Sequence, residues 1–172
     1  MKNIKFLVLF FLMSCASSKV ITDYDDKTDF TKYKTYDFYE DNGENLNKFD
    51  VKRITTAIDE QLQSYGLKQH YNPDFFIFFD TEVSDARNNT TLNIGLGTAG
   101  RNGGVGISGG IPVNGKKIDE KLIIKFIEAK TNALFWESSL TSTIKEKRKP
   151  AERELLLQEV IQKILNTYPP KK

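Results

Sequence analysis

Between Asp74 and Val83 the chain reads Asp-Phe-Phe-Ile-Phe-Phe-Asp-Thr-Glu-Val. This stretch most restricts the fold. Its apolar run is too short for a buried helix and is rich in aromatic and β-branched residues, so it is a strand. Side chains alternate along a strand, which puts Phe75, Ile77, Phe79 and Val83 on one face. Phe76 and Phe78 fall on the other, before Asp80 and Glu82 turn that side polar. Apolar residues on both faces at its start predict a central strand covered on both sides there.

The neighbouring pattern extends this strand into a sheet. Tyr33–Tyr39 alternates, with Tyr36 and Phe38 on one face. Leu122–Glu128 and Leu134–Ile144 form a hairpin about residues 129–133, with Leu122, Ile124 and Phe126 on one face and Leu134, Trp136 and Leu140 on the partner's. Leu92–Gly97 and Val105–Ile111 alternate as a further hairpin with its tip at residues 98–103. Eight of the eleven glycines lie between Gly95 and Gly110. Gly95, Gly97, Gly104 and Gly106 leave its surface nearly bare of side chains, a candidate contact surface for another backbone, a glycan or a partner strand.

Two helices frame the strands. Val51, Ile54, Ile58 and Leu62 make one apolar stripe between about Phe49 and Tyr65, and Gly66 stands where a left-handed cap is wanted, with Leu67 behind it. Pro150 starts the last helix, whose broad apolar face is Leu156, Leu157, Val160, Ile161, Ile164 and Leu165; Pro169-Pro170 ends it. The order strand, helix, four strands, helix predicts an α+β two-layer sandwich: a mainly antiparallel sheet of about five strands with both helices on one face, as a single domain over residues 33–170.

The amino terminus supplies an address. Lys2 and Lys5 precede the apolar run Phe6–Met13, the pattern of a secretory signal. The run is well short of the roughly 20 residues that span a bilayer as a helix. Leu12-Met13-Ser14-Cys15 resembles a bacterial lipobox, with cleavage between Ser14 and Cys15, although Met13 is bulkier than the pattern prefers. Residues 1–14 then form a signal peptide, Cys15 carries the lipid, and residues 15–32, with Asp23, Asp25, Asp26 and Asp29, are tether and lead-in. Three acyl chains on Cys15 amount to permanent attachment. No aspartate follows Cys15, which favours the outer membrane, either facing the periplasm or at the surface. Removing Lys2 and Lys5 takes 25 basic residues to 23, against 23 acidic ones. A neutral mature chain gives no reason to expect nucleic acid as a partner. With the single cysteine acylated, neither a disulfide nor a thiolate metal site is available.

Catalytic and cofactor patterns are weak. Gly95-Leu-Gly-Thr-Ala-Gly100 matches G-x-G-x-x-G, but strand pattern and more glycine follow where the motif needs a helix. The aspartates of residues 23–29 lack the glycine and glutamate of a calcium loop, since Thr28 and Lys34 stand there. They read as Asx turns or a solvated lead-in. His70 is the only histidine, in the connection 66–72 with no nucleophile motif nearby. One histidine is too few for zinc. Asp80, Glu82 and Glu137 could pair as a hydrolase's carboxylates only at a defined separation. Lys145–Lys149 reads as a solvated turn, and no cofactor or metal is expected.

A family likeness emerges from pieces in order: Asp23-Tyr24-Asp25 with Asp29-Phe30, Tyr33–Phe38, Arg53-Ile54 with Ala57-Ile58 and Leu62, Gly66-Leu67, and Asn72-Pro73-Asp74. Leu134-Phe135-Trp136, Ile164-Leu165 and Tyr168-Pro169-Pro170 complete it. Together they resemble bacterial lipoproteins built on the domain of unknown function 4136. The family's usual glycine after Leu-Phe-Trp is replaced by Ser138 or Ser139, which bears on an edge or bulge there. The resemblance implies a lipid-anchored envelope protein and carries over no catalytic or binding residues. The expected function is non-enzymatic, structural or in assembly, through an envelope protein partner. The alternative is a module binding a small ligand, glycan or peptide through Tyr36, Tyr39 and Tyr71 in a concave aromatic site. A hydrolase using His70, Asp80, Glu82 and Glu137 is the third reading.

Overall fold

The computed structural model describes residues 19–86, 91–92, 111–112 and 116–171. Cys15, Ser14 and the contact glycines Gly95, Gly97, Gly104 and Gly106 lie outside the described residues. The elements are β1 (Val20–Tyr24), a 3-10 turn (Phe30–Lys32), β2 (Thr35–Phe38), α1 (Lys48–Ser64), β3 (Lys68–Gln69), β4 (Phe75–Asp85), β5 (Thr91–Leu92), β6 (Ile111–Pro112), β7 (Lys117–Glu128), β8 (Leu134–Lys145) and α2 (Pro150–Leu165). Six strands form one sheet in the order β1-β8-β7-β4-β2-β3, and β5 pairs with β6.

The α+β class holds, and both helices cover one face. On that face Tyr36, Phe75, Ile77, Phe79, Leu122, Ile124, Phe126, Trp136 and Leu140 are buried. They meet Ile54, Ile58 and Leu62 of α1, and Leu157, Val160, Ile161, Ile164 and Leu165 of α2. Each such side chain contributes roughly 1.5–3 kcal/mol on leaving water. The Gly66 cap acts as the spacing predicts, and Asn47, read as loop, adds an N-cap. Asn47 Oδ1 accepts the amides of Phe49 and Asp50, both at 3.0 Å, starting α1. At its end Gly66 has φ +85°, Leu67 N donates to Leu62 O at 3.1 Å and Gly66 N to Gln63 O at 2.9 Å, the paired bonds of a Schellman cap.

Four details differ from the sequence reading. The main sheet has six strands rather than about five, because Val20–Tyr24, read as tether, is an edge strand antiparallel to β8. Its own apolar signal is thin, and β8 supplies the rest: Thr22 Oγ1 lies 2.8 Å from Ser138 Oγ, which also donates to Ile21 O at 3.2 Å. Next, the sheet is mixed. β2 runs parallel to both β4 and β3, because α1 is the long crossover that parallel pairing needs. Third, β4 is covered on one side only. Phe76 and Phe78 are half-buried on the outer face, where the Tyr39 ring lies 5.0 Å from that of Phe76. Fourth, Val83 shares the core-side alternation but is 60% exposed, beyond the reach of the helices.

A bulge interrupts β7 and β8 between Phe126 and Ile127, with Phe126 opposite Trp136 and Ile127 opposite Leu134. Phe135 is therefore the extra residue. The irregularity lets two successive aromatics, Phe135 and Trp136, both enter the core.

Candidate functional site

The two ends of β7 are built from opposite materials. Near its start Glu120 joins a buried ion cluster. Arg153, at the first turn of α2, donates through Nε to Asp50 Oδ2 at 2.9 Å and through Nη1 to Glu120 Oε1 at 2.6 Å. Arg53 Nη1 reaches Asp50 Oδ1 at 2.9 Å, and Arg148 Nη2 lies 3.8 Å from Glu120 Oε2. Asp50, Glu120 and Arg153 are all buried. Burial, and then the nearby Arg153 charge, push the Arg148 guanidinium below its ordinary value. The cluster ties α1, α2, β7 and the β8–α2 connection together.

The far end of β7 is aromatic and open. A cleft of about 610 Å³ is lined by Phe30, Tyr33, Tyr65, Leu67, Tyr168 and the prolines 169 and 170, with Lys27, Lys34 and Asp29 among its polar groups. Pairing of β1 with β8 carries the following loop across the sheet end, and Asp29 Oδ1 caps the 3-10 turn by accepting Thr31 N at 3.0 Å. That turn presents Phe30, whose ring lies 5.8 Å from Tyr168 and 6.0 Å from Phe135. Tyr33 stacks on Phe135 at 4.1 Å. Tyr65 donates to Asn166 Oδ1 at 3.1 Å, joining the ends of the two helices over the opening.

Polar groups beside the cleft are firmly held. Lys32 Nζ lies 2.6 Å from Glu128 Oε1, which also accepts the Tyr33 hydroxyl at 3.3 Å, while Thr131 Oγ1 donates to Oε2 at 2.6 Å. The bond to Glu128 raises the Lys32 ammonium, and the bond from Lys32 lowers the Glu128 carboxyl. Burial raises both the Tyr33 and the Tyr168 hydroxyls above the ordinary phenol range. These phenols are neutral donors at physiological pH. The lining suits an apolar or aromatic group with an anionic end near the lysines, a binding chemistry rather than a proton-transfer one.

The other predicted residues lie apart. Tyr36 is fully buried, its hydroxyl donating to Asp59 Oδ1 at 2.6 Å, so it is core and not a ligand platform. Tyr39 packs on Phe76, and Tyr71 is 89% exposed beside His70. None of the three lines the cleft. His70 Nδ1 sits 3.0 Å from Asn72 O within its own turn. Asp80 accepts from Asn45 at 2.8 Å, Glu82 pairs with Lys121 at 3.3 Å and Glu137 with Lys125 at 3.2 Å. These carboxylates are spread over the outer sheet face. Asp25 accepts Lys27 N at 3.0 Å in an Asx turn, and Asp23 lies in β1 opposite Glu137. Among the described residues no group of three or more His, Cys, Asp or Glu is placed to hold a metal ion, and no helix is long and apolar enough to cross a membrane.

Solved structures share this fold. A PDZ domain protein from Parabacteroides distasonis superposes with a TM-score of 0.59 at 16% identity over 90% of this chain, which spans only 36% of that protein. A DUF4136 family protein from Bacteroides thetaiotaomicron gives 0.53 at 16% identity, covering 88% of this chain and 96% of the other. The PelC dodecamer from Paraburkholderia phytofirmans gives 0.54 at 9% identity, covering 91% and 100%. No curated protein matches the chain. The family model described as a domain of unknown function, DUF4136, matches residues 20–170, and the chain belongs to that family.

Proposed function

We propose that the protein is a non-enzymatic, lipid-anchored component of the bacterial cell envelope that holds a partner protein in its aromatic cleft. The cleft itself carries this reading: about 610 Å³ bounded by Phe30, Tyr33, Tyr65 and Tyr168, with neutral phenols and lysines at its edge. Such a lining fits an aromatic or apolar segment bearing a carboxylate. The anchor rests on the Lys2–Cys15 pattern. One protein of similar fold, PelC, is a dodecamer, so a second copy of this chain is the nearest alternative occupant.

A photo-crosslinking residue at Lys34, in the cleft, tests this in intact cells against a control at Gln158 on α2. The expected result is an envelope polypeptide joined at position 34, absent at 158 and lost in Phe30→Ser. Equal recovery at both positions counts against the cleft. A glycan or small-molecule adduct instead of a polypeptide favours the binding-module alternative, and a self-adduct favours assembly of copies. Fatty-acid labelling that survives Cys15→Ser removes the anchor.

A further inference from the structure

Among the described residues β1 ends the six-stranded sheet, so its far side pairs with no other strand. The ladder to β8 fixes which groups point there. Val20–Tyr24 runs in register with Leu140–Trp136, and one step further on Asp25 N donates to Phe135 O at 3.1 Å. In an antiparallel ladder, directly opposite residues exchange backbone bonds at every second position. Ile21, Asp23 and Asp25 therefore turn their backbone groups to β8, in agreement with the bond from Ser138 Oγ to Ile21 O at 3.2 Å. The N–H and C=O groups of Val20 and Thr22 face the open edge. Tyr24 N faces it too, and donates to Asp23 Oδ1 at 2.9 Å.

Side chains alternate along the same strand. Thr22 Oγ1 donates to Thr167 Oγ1 at 3.0 Å, just past the end of α2, which puts Thr22 on the helix side. Ile21 and Asp23 therefore lie on the outer sheet face, where Ile21 is 64% exposed. Lys19 continues that alternation one residue before β1 and is exposed. Asp23 stands opposite Glu137, and like charges directly opposite are destabilising. Lys125 meets Glu137 at 3.2 Å. Neither Asp23 nor Lys19 makes an ion pair among the described residues.

Charged residues normally keep a sheet edge from pairing. Here the two charges are opposite in sign and stand symmetrically about Ile21. The same strand turned end for end sets Ile21 against Ile21, with Lys19 against Asp23 on both sides of the axis. That register also sets Val20 opposite Thr22, so their outward backbone groups meet as bonded pairs, and Ile21 falls at the close, non-bonded position. A slip of one residue would turn the outer face of one copy to the helix side of the other. A slip of two would set Ile21 against a charge, Asp23 or Lys19.

We infer that two copies of this chain pair antiparallel through β1, about a two-fold axis at Ile21, joining their sheets into one. An isologous contact of this kind uses up the edge and closes. It depends neither on the occupant of the aromatic cleft nor on the anchor.

The test uses the full chain with Cys15→Ser, so that one introduced thiol is the only one. Opposed non-bonded residues lie about 4.5 Å apart at Cα, within disulfide reach. On mild oxidation Ile21→Cys should form a covalent dimer at least about tenfold faster than Gln158→Cys, exposed on α2. Adding Asp23→Lys to Ile21→Cys sets lysine against lysine in both flanking pairs and should slow the reaction about fivefold. Adding Lys19→Asp as well restores opposite charges, and should restore the rate. The slowing should shrink in high salt. Equal rates at positions 21 and 158 overturn the dimer. A rate that Asp23→Lys leaves unchanged, or that the double reversal does not restore, overturns the register and the proposal with it. Copies joined through another face, as in a ring built head to tail, would sediment as an oligomer while position 21 stayed unlinked, and that result also overturns it.

Discussion

One strand, β7, passes from the ion cluster at Glu120 to Glu128 beside the aromatic cleft, about 27 Å along the strand. Both ends gather residues distant in sequence, yet they solve different problems. At the ion end Arg153 bonds both Asp50 and Glu120, all three are buried, and Arg148 Nη1 beside them is buried without a hydrogen-bond partner. At the aromatic end the rings of Phe30, Tyr33, Phe135 and Tyr168 meet edge-on or stacked and leave a concavity. Ionic partners need contact geometry. Large rigid rings leave gaps, which a ligand can fill.

The largest expected effect comes from breaking the ion end. Arg153→Ala leaves Asp50 and Glu120 buried with only Arg53 and Arg148 nearby. It should cost about 4 kcal/mol in urea unfolding, because an uncompensated buried charge is worth more than the pair it came from. Replacing Asp50, Glu120 and Arg153 together by apolar residues of similar size should cost much less. If Arg153→Ala costs under about 1 kcal/mol, the cluster is solvated rather than structural. At the open end, Phe135→Leu removes the ring beneath Tyr33 and Phe30 and should cost about 2 kcal/mol. Unlike the ionic change, it should also weaken crosslinking from Lys34. Loss of stability with unaltered crosslinking would separate the aromatic floor from the cleft's function.

Legibility in the sequence differed between these regions for physical reasons. The β4 alternation, the β7–β8 hairpin and the Gly66 cap are local patterns that formed close to where the spacing puts them, except that the bulge at Phe135 leaves Leu134, expected on one face with Trp136 and Leu140, 49% exposed and puts Phe135 in the core instead. The parallel pairing of β2 with β4 was implicit in strand-helix-strand order, but short turns elsewhere favoured antiparallel neighbours. Edge strand β1 was hidden because Val20, Thr22 and Tyr24 make a weak face that only Ser138, Trp136 and Leu140 complete. The cleft draws on residues 27–34, Tyr65, Leu67 and residues 168–170. Asp29-Phe30 and Tyr168-Pro169-Pro170 stood out as family pieces, but no periodicity says that they meet. Asp50, Glu120, Arg148 and Arg153 are ordinary charges until the fold buries them.

The smaller test exploits acid at the open end. Asp74, at the start of β4, accepts Lys34 N at 2.8 Å, Thr35 N at 2.9 Å and Thr35 Oγ1 at 3.0 Å, joining β2 to β4 beside the aromatic core. Burial pushes its carboxyl up, but these hydrogen bonds outweigh burial and hold it below the ordinary value of 3.8. A depressed carboxyl contributes stability that is present in full above its unfolded pKa, about 3.9, and is lost as pH falls through the lower folded value. Asp74→Asn keeps an acceptor without the charge, and should lower stability at pH 7 by about 1 kcal/mol. The difference from the unsubstituted protein should begin to shrink as pH falls below about 4 and vanish only below the depressed folded value, where Asp74 is neutral as well. Glu128 titrates in both proteins and drops out of the comparison. A difference that stays constant from neutral to acidic pH would mean that the Asp74 bonds act through shape alone, and that the aromatic end has no acid-sensitive hinge between β2 and β4.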